Sequence, residues 1–68
     1  MKILTEKEEE FFNNLCEFML RYKYTPSIRE LGKYVGLSSP ATVHYHLKKL
    51  EEKGYIKKIN NRYIEVLK

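Results

Sequence analysis

Residues 27–54 of the chain have the sequence SIRELGKYVGLSSPATVHYHLKKLEEKG, which contains the start and stop signals of two helices. A serine followed three residues later by a glutamate predicts a capping box that starts the first helix at Ser27. Gly36 supplies a left-handed residue that ends it. Ser39 as N-cap and Pro40 as first helical residue predict the start of the second helix. Because so few residues lie between these signals, the segment indicates a helix-turn-helix.

The second of these helices is predicted to run over residues 40–53 and to end at Gly54. At about 100° per residue, its apolar positions form one stripe that is predicted to be buried. This stripe consists of Val43, Leu47 and Leu50. The opposite face is predicted to be exposed, and it carries Ala41, Tyr45, Lys48 and Glu52, with Thr42 and His44 on its flanks. The helix therefore presents a polar and aromatic surface to a partner.

The two histidines of this helix do not form a metal site. Side chains at positions i and i+2 of a helix diverge by about 200°, so His44 and His46 cannot chelate one ion. We expect His46 to pack beside the buried stripe and His44 to face a partner. Catalysis is also disfavoured, because the chain has no aspartate and no glycine-rich phosphate loop. We expect no enzyme activity, no metal and no cofactor.

The N-terminal part predicts one further helix and most of the core. Thr5 and Glu8 form a second capping box. The apolar positions that follow recur at helical spacing and are predicted to be buried, and they are Phe11, Leu15, Phe18 and Tyr22, with Phe12 and Met19 beside them. Gly32 and Gly36 are expected to let the two helices of the helix-turn-helix approach closely. Cys16, the single cysteine, is predicted to be a core thiol.

Residues 55–68, YIKKINNRYIEVLK, predict a β-hairpin around two asparagines. A two-residue loop suits the asparagines but mixes apolar and charged residues on each face. A three-residue loop ending at Arg62 places Ile56, Ile64 and Val66 inward and is the favoured alternative. A basic hairpin that follows a helix-turn-helix is a wing. The predicted fold is therefore mainly α with a small β-hairpin, a three-helix winged helix-turn-helix.

The chain is predicted to be a single domain over residues 1–68, because its length is close to the minimum that buries a core. We find no signal-peptide pattern and no apolar run that approaches a membrane span of about 18 residues, so we expect a cytoplasmic protein without membrane contact. The net charge of +4 is unevenly distributed: residues 1–38 are balanced, and all of the excess lies in residues 39–68. This asymmetry favours a face that binds a polyanion.

These segments resemble the N-terminal DNA-binding domain of the LexA repressors over nearly the whole chain. The matching segments are LTEKEEEFF, YTPSIRELGKYVGLSSPATVHYHLKKLEEKGYI and the basic wing, and SIRELG and TVHYHL are most similar to the Gram-positive members. The resemblance implies sequence-specific binding of double-stranded DNA, with helix 40–53 in the major groove and wing 55–67 at the minor groove or backbone. It implies a bacterial repressor of the SOS response that binds inverted-repeat operators and can form a homodimer on DNA.

The resemblance also implies which residues contact DNA. The base-contacting positions are Ser39, Ala41, Thr42, His44 and Tyr45, and Lys53 is implied as a backbone contact. Together with Lys53, the predicted backbone and wing contacts are Ser38, Lys48, Lys49, Lys58, Asn60, Asn61 and Arg62. Tyr45 is larger than the small residue expected there, and Ala41 cannot hydrogen-bond a base, so the operator sequence cannot be inferred.

Two alternatives stay open. LexA proteins continue into a dimerisation and self-cleaving domain, which does not follow Lys68, so the chain is either an excised domain or a small stand-alone regulator. In either case, we expect no self-cleavage. The alternative function is a winged-helix protein-interaction module with an acidic partner, for which exposed tyrosines would supply anchors.

Overall fold

The computed structural model describes residues 3–60 and 63–67. The elements are α1 (Glu6–Tyr22), α2 (Ile28–Val35), α3 (Pro40–Glu52), β1 (Ile56–Lys58) and β2 (Ile64–Val66), and the two strands pair antiparallel. Three helices followed by a hairpin confirm the predicted winged helix-turn-helix. No helix in the described part of the chain is long and apolar enough to cross a membrane.

Both predicted capping boxes are present. At the start of α1, the Thr5 hydroxyl accepts from the Glu8 amide at 3.2 Å, and the Glu8 carboxylate accepts from the Thr5 amide at 2.9 Å. Ser27 and Glu30 make the equivalent pair at the start of α2, at 3.1 and 2.9 Å. Each box satisfies amides that a helix start leaves without partners, so both starts are determined by local sequence.

The start of α3 differs in one respect from the prediction. Ser39 occupies the N-cap position and Pro40 follows it, but among the described residues the Ser39 side chain makes no capping hydrogen bond. Its backbone carbonyl instead accepts from the amides of Thr42 and Val43, at 3.1 and 3.3 Å. The exposed Ser39 hydroxyl is therefore not used to hold the helix start.

The ends of α2 and α3 follow the glycine signals. Gly36 and Gly54 have φ values of 81° and 84°. The amide after each glycine reaches back to the helix: Leu37 donates to the Gly32 carbonyl at 2.8 Å, and Tyr55 donates to the Leu50 carbonyl at 3.0 Å. These bonds are those of a Schellman motif, which requires the left-handed residue that glycine adopts without strain.

Only one of the two glycines expected at the contact between α2 and α3 lies there. A Cβ on Gly32 would lie 3.0 Å from the Leu37 carbonyl oxygen and 3.4 Å from Val43 Cγ2, so this glycine does permit the close approach. A Cβ on Gly36 would meet no described atom within 4 Å. The prediction that Gly36 brings the helices together was wrong, because its role is the left-handed turn.

The core lies where α1, α3 and the hairpin meet. The predicted stripe of α3 is buried, as are most of the predicted α1 positions: Phe11, Phe12, Leu15 and Phe18. Tyr22 departs from the prediction, since it is 47% exposed at the end of α1 and contacts the Phe18 ring from the side. Cys16 is half-buried against the core, and this burial raises the pKa of its thiol.

The hairpin adopts the three-residue-loop register that the sequence favoured. Ile56 pairs with Val66 and Lys57 with Glu65, and the Ile59 amide donates to the Tyr63 carbonyl at 3.0 Å. Ile56 is buried, and Ile64 and Val66 pack against the core. The predicted contacts Asn61 and Arg62 lie outside the described residues.

An ion pair connects the start of α1 with the end of α3. The Lys53 ammonium, after α3, contacts the Glu8 carboxylate at the start of α1 and also donates to the Ile3 carbonyl at 3.3 Å. The Lys53 and Glu8 side chains are 18% and 9% exposed. The hydrogen bond from Lys53 and then the one from the Thr5 amide lower the pKa of Glu8. Glu8 therefore both caps α1 and anchors the end of α3.

We predict that Glu8→Gln destabilises the domain more than Glu30→Gln does at about pH 7. Glutamine can keep the hydrogen bonds of each capping box. The additional loss of stability in Glu8→Gln therefore measures what the Glu8 charge contributes through Lys53. The pKa of Glu8 is lower in the folded state than in the unfolded state. Its contribution to stability is therefore complete at a pH above its unfolded pKa of about 4.3, and it disappears as the pH falls through the folded pKa. Urea unfolding of parent and both variants, from about pH 7 to about pH 2.5, measures this. Equal losses at neutral pH would show that the ion pair adds nothing to capping.

Candidate nucleic-acid interface

The outward face of α3 holds the predicted base-contacting residues together. Ser39, Ala41, His44 and Tyr45 are exposed, and Thr42 is half-buried. Tyr45, with 56% of its surface exposed, lies beside the Lys49 ammonium at 5.6 Å from the ring centre. The burial of the opposite stripe leaves this face free of the core, so it is available to a macromolecular partner.

The two histidines separate as predicted. The His46 ring stacks on Phe11, with centroids 4.9 Å apart and an interplanar angle of 27°. Its Nδ1 is buried and has no hydrogen-bond partner among the described residues. His44 is exposed on the outward face. Within the described part of the chain, we find no group of three or more histidine, cysteine or acidic side chains that could hold a metal ion.

Two grooves flank His44. The first, of about 520 Å³, lies between the start of α2, α3 and the wing, and its lining includes Ser27, His44, Lys58 and Tyr63. The second, of about 780 Å³, lies between α2 and the start of α3. Its polar lining consists of Arg29, Lys33, Ser38, Ser39 and His44. His44 therefore stands where the two grooves adjoin.

The lysines predicted to contact the DNA backbone have different surroundings. Lys48 and Lys58 are exposed. Lys49 lies 3.8 Å from the Glu52 carboxylate, in an exposed pair that contributes little stability. The Lys53 ammonium contacts the Glu8 carboxylate of α1. Lys48, Lys49 and Lys58 therefore have side chains open to solvent, whereas Lys53 has a sheltered partner within the chain.

The wing is held by two side chains that the sequence did not identify. The Lys58 amide, on the outer edge of β1, donates to the Glu51 carboxylate of α3 at 3.3 Å. The Ile64 amide, on the outer edge of β2, donates to the Thr25 hydroxyl at 3.4 Å. Thr25 lies 39 residues from Ile64, and Glu51, although only seven residues from Lys58, belongs to a different element, so no local pattern indicated either bond. Together they set the position of the wing relative to α3.

At the tip of the wing, Asn60 is exposed, and its side-chain oxygen accepts from the Tyr63 amide at 3.1 Å. This bond spans the loop and is typical of an asparagine that shapes a turn. Tyr63 is 55% exposed and lines the first groove. Asn60 and Tyr63, the described residues on either side of the loop, therefore line the same groove as His44.

An exposed face on α3, a basic hairpin beside it and grooves between them define a winged helix-turn-helix domain of the DNA-binding class. A family model described as the LexA DNA binding domain matches residues 1–63. The chain belongs to this LexA DNA-binding domain family.

Curated relatives agree with the family match. LexA repressors of Staphylococcus aureus strains Mu3, N315 and USA300 are each 47% identical to the chain over 58 residues. The matched segment covers 85% of this chain and 28% of each relative. The chain therefore corresponds to somewhat more than a quarter of the length of these relatives.

We predict that Thr25→Val loosens the wing without unfolding the domain, because valine keeps the shape of threonine and removes the acceptor of the Ile64 amide. The loss of one net hydrogen bond should speed exchange of the Ile64 amide by roughly two- to ten-fold. Amide exchange followed by NMR measures this, and Thr42→Val is the matched control. An unchanged Ile64 rate would mean that Thr25 does not hold the wing in solution.

Proposed function

We propose that the chain is the DNA-binding part of a LexA-like transcriptional repressor. The observation that carries this proposal is the outward face of α3, which presents hydroxyl, imidazole and phenol groups beside a basic wing. Membership of the LexA DNA-binding domain family supports it. In this proposal, α3 enters the major groove, and the wing lies against the neighbouring minor groove or backbone.

Thr42, His44 and Tyr45 discriminate bases in this arrangement. The Thr42 hydroxyl can hydrogen-bond a base edge, and its methyl group can touch the thymine methyl. His44 can donate to guanine N7 or O6, and the Tyr45 hydroxyl can reach a base edge or its ring can pack on a sugar. Ala41 supplies only apolar contact, and Ser39 offers a hydroxyl that no cap bond occupies. These groups contact bases, whereas phosphate contacts set register and affinity.

The backbone contacts surround this face. Lys48, Lys49 and Lys58 lie beside it, and the Ser38 hydroxyl lies at the corner before α3. At the wing tip, Asn60, Asn61 and Arg62 complete the proposed contacts. Lys53 enters the proposal as a structural residue, because its ammonium would have to leave Glu8 to reach a phosphate. Breaking this sheltered ion pair would leave the Glu8 carboxylate without its partner, which costs free energy.

An inverted-repeat site fits a protein that binds as a homodimer, since two-fold symmetric proteins bind half-sites related by the same symmetry. One domain makes few contacts to one half-site. We therefore expect this domain alone to bind a half-site weakly and to bind better when two copies occupy both halves of a repeat.

We predict that His44→Ala lowers affinity for the best half-site by roughly 1 to 3 kcal/mol and leaves binding to unrelated duplexes nearly unchanged. Selection from random duplexes with parent and variant is the direct measurement. The variant should lose sequence information at one or two adjacent positions. If both proteins select the same half-site with equal information at every position, His44 does not contact bases.

We also predict that the parent domain binds duplex DNA with steep salt dependence, because its cations displace counterions condensed on the phosphates. Fluorescence anisotropy with a labelled duplex, from about 50 to about 200 mM salt, should show affinity falling linearly on a double-logarithmic plot. Binding of an acidic peptide in place of the duplex would favour the protein-interaction module instead.

A further inference from the structure

Two cations of α2 face the second groove, although the sequence analysis assigned them no role. Arg29 and Lys33 lie four residues apart, so they occupy one face of the helix, and both are exposed. They line the groove together with Ser38, Ser39 and His44. They therefore adjoin residues already proposed to contact DNA.

The described charged residues that line the second groove are all cations. Among the described residues, no acidic side chain lines the second groove. The ion pairs found in the described part of the chain involve Lys49 and Lys53, and neither includes Arg29 or Lys33. Two unpaired cations on one helix face repel each other, and an anion in the groove would relieve that repulsion.

The two grooves form a continuous track along the α2 side of α3. They share Ile28 and His44, so they adjoin at the centre of the proposed interface. Lys58 of the wing lines the first groove, and Lys33 lines the second. Glu30 is the acidic residue of the first groove, and its carboxylate accepts from the Ser27 amide at 2.9 Å and from the Tyr24 hydroxyl at 2.7 Å.

The backbone of one DNA strand fits such a track, because it is a line of anions that runs beside the base edges. With α3 in the major groove, the strand that passes the wing at Lys58 would continue past His44 toward α2. The second groove is the larger of the two, at about 780 Å³, and leaves space for phosphates between α2 and the corner.

We propose that Arg29 and Lys33 bind phosphates of the DNA strand that also contacts the wing, which extends the backbone contacts from the wing across α2. This inference rests on the proposed DNA-binding function. Lysine acts there as a mobile point charge, whereas the arginine fork can hold a phosphate through two hydrogen bonds. Neither contact carries base information, so both should add affinity without adding specificity.

The test compares two double variants that remove the same charge. Arg29→Gln with Lys33→Gln removes the proposed contacts, and Lys7→Gln with Arg21→Gln removes two exposed cations of α1. Affinity for one labelled duplex is measured by anisotropy at several salt concentrations, and circular dichroism checks that each variant is folded. Arg29→Lys with Lys33→Arg keeps both charges and should retain most of the affinity.

We expect the α2 double variant to lose roughly ten-fold or more in affinity at about 0.1 M salt and to lower the salt slope by about 2. The α1 double variant should change both quantities far less, and all proteins should select the same half-site. Equal losses in the two double variants would overturn the inference, because net charge alone would then explain them, while the proposed function would stand. A parent domain that binds no duplex DNA would overturn both.

Discussion

The contact between α2 and α3 at Gly32 sets the orientation of α3, on which the outward face of that helix depends. A Cβ at this position would lie 3.0 Å from the Leu37 carbonyl oxygen, which is tighter than side-chain carbons normally come, and it would be in ordinary contact with the Val43 side chain at 3.4 Å. The corner then closes with the Leu37 amide bonded to the Gly32 carbonyl. Because Val43 belongs to the buried stripe of α3, this contact sets the rotation of the helix. That rotation decides which side chains face outward.

The other elements support this orientation from different sides. The stacked rings of Phe11 and His46 hold one flank of α3, and the ion pair between Glu8 and Lys53 holds its end. Glu51 and Thr25 then set the wing relative to it. Pre-organised groups lose less entropy when they bind, so a fixed angle between helix and wing increases the affinity that each contact provides. The side chains that do the positioning therefore matter for binding even where they do not touch DNA.

The sequence predicted those features whose causes lie within a few residues. Capping boxes at Thr5 and Ser27, and left-handed glycines after α2 and α3, depend on local hydrogen bonds, and the structure contains all of them. The hairpin register was predictable because one alternative placed charged residues inward. The departures have physical reasons too. Tyr22 fits the helical period, but it lies in the last turn of α1, where its side chain is partly exposed to solvent.

What could not be predicted depends on contacts between distant residues. The resemblance implied a DNA backbone contact for Lys53, and the spacing of residues does not show that Glu8, 45 residues earlier, lies beside it. Arg29 and Lys33 belong to the half of the chain with balanced charge, and folding brings them to the corner where α3 begins. Charge counted along the sequence does not show that these two cations line the same groove as Ser39 and His44.

The surroundings of each cation help to separate structural from binding roles. A lysine with a sheltered partner, such as Lys53, must lose that partner before it binds a phosphate, so its charge mainly supports the fold. Exposed cations with no described ion-pair partner, such as Lys58 and Arg29, lose only water and mobile ions when a phosphate arrives. The release of condensed counterions then favours binding at every such site. The domain thus holds Lys53 in a sheltered pair with Glu8, whereas Lys49 has only an exposed pair with Glu52 that a phosphate could replace at little cost. Such weakly held or unpaired cations are the ones that a surface for a polyanion requires.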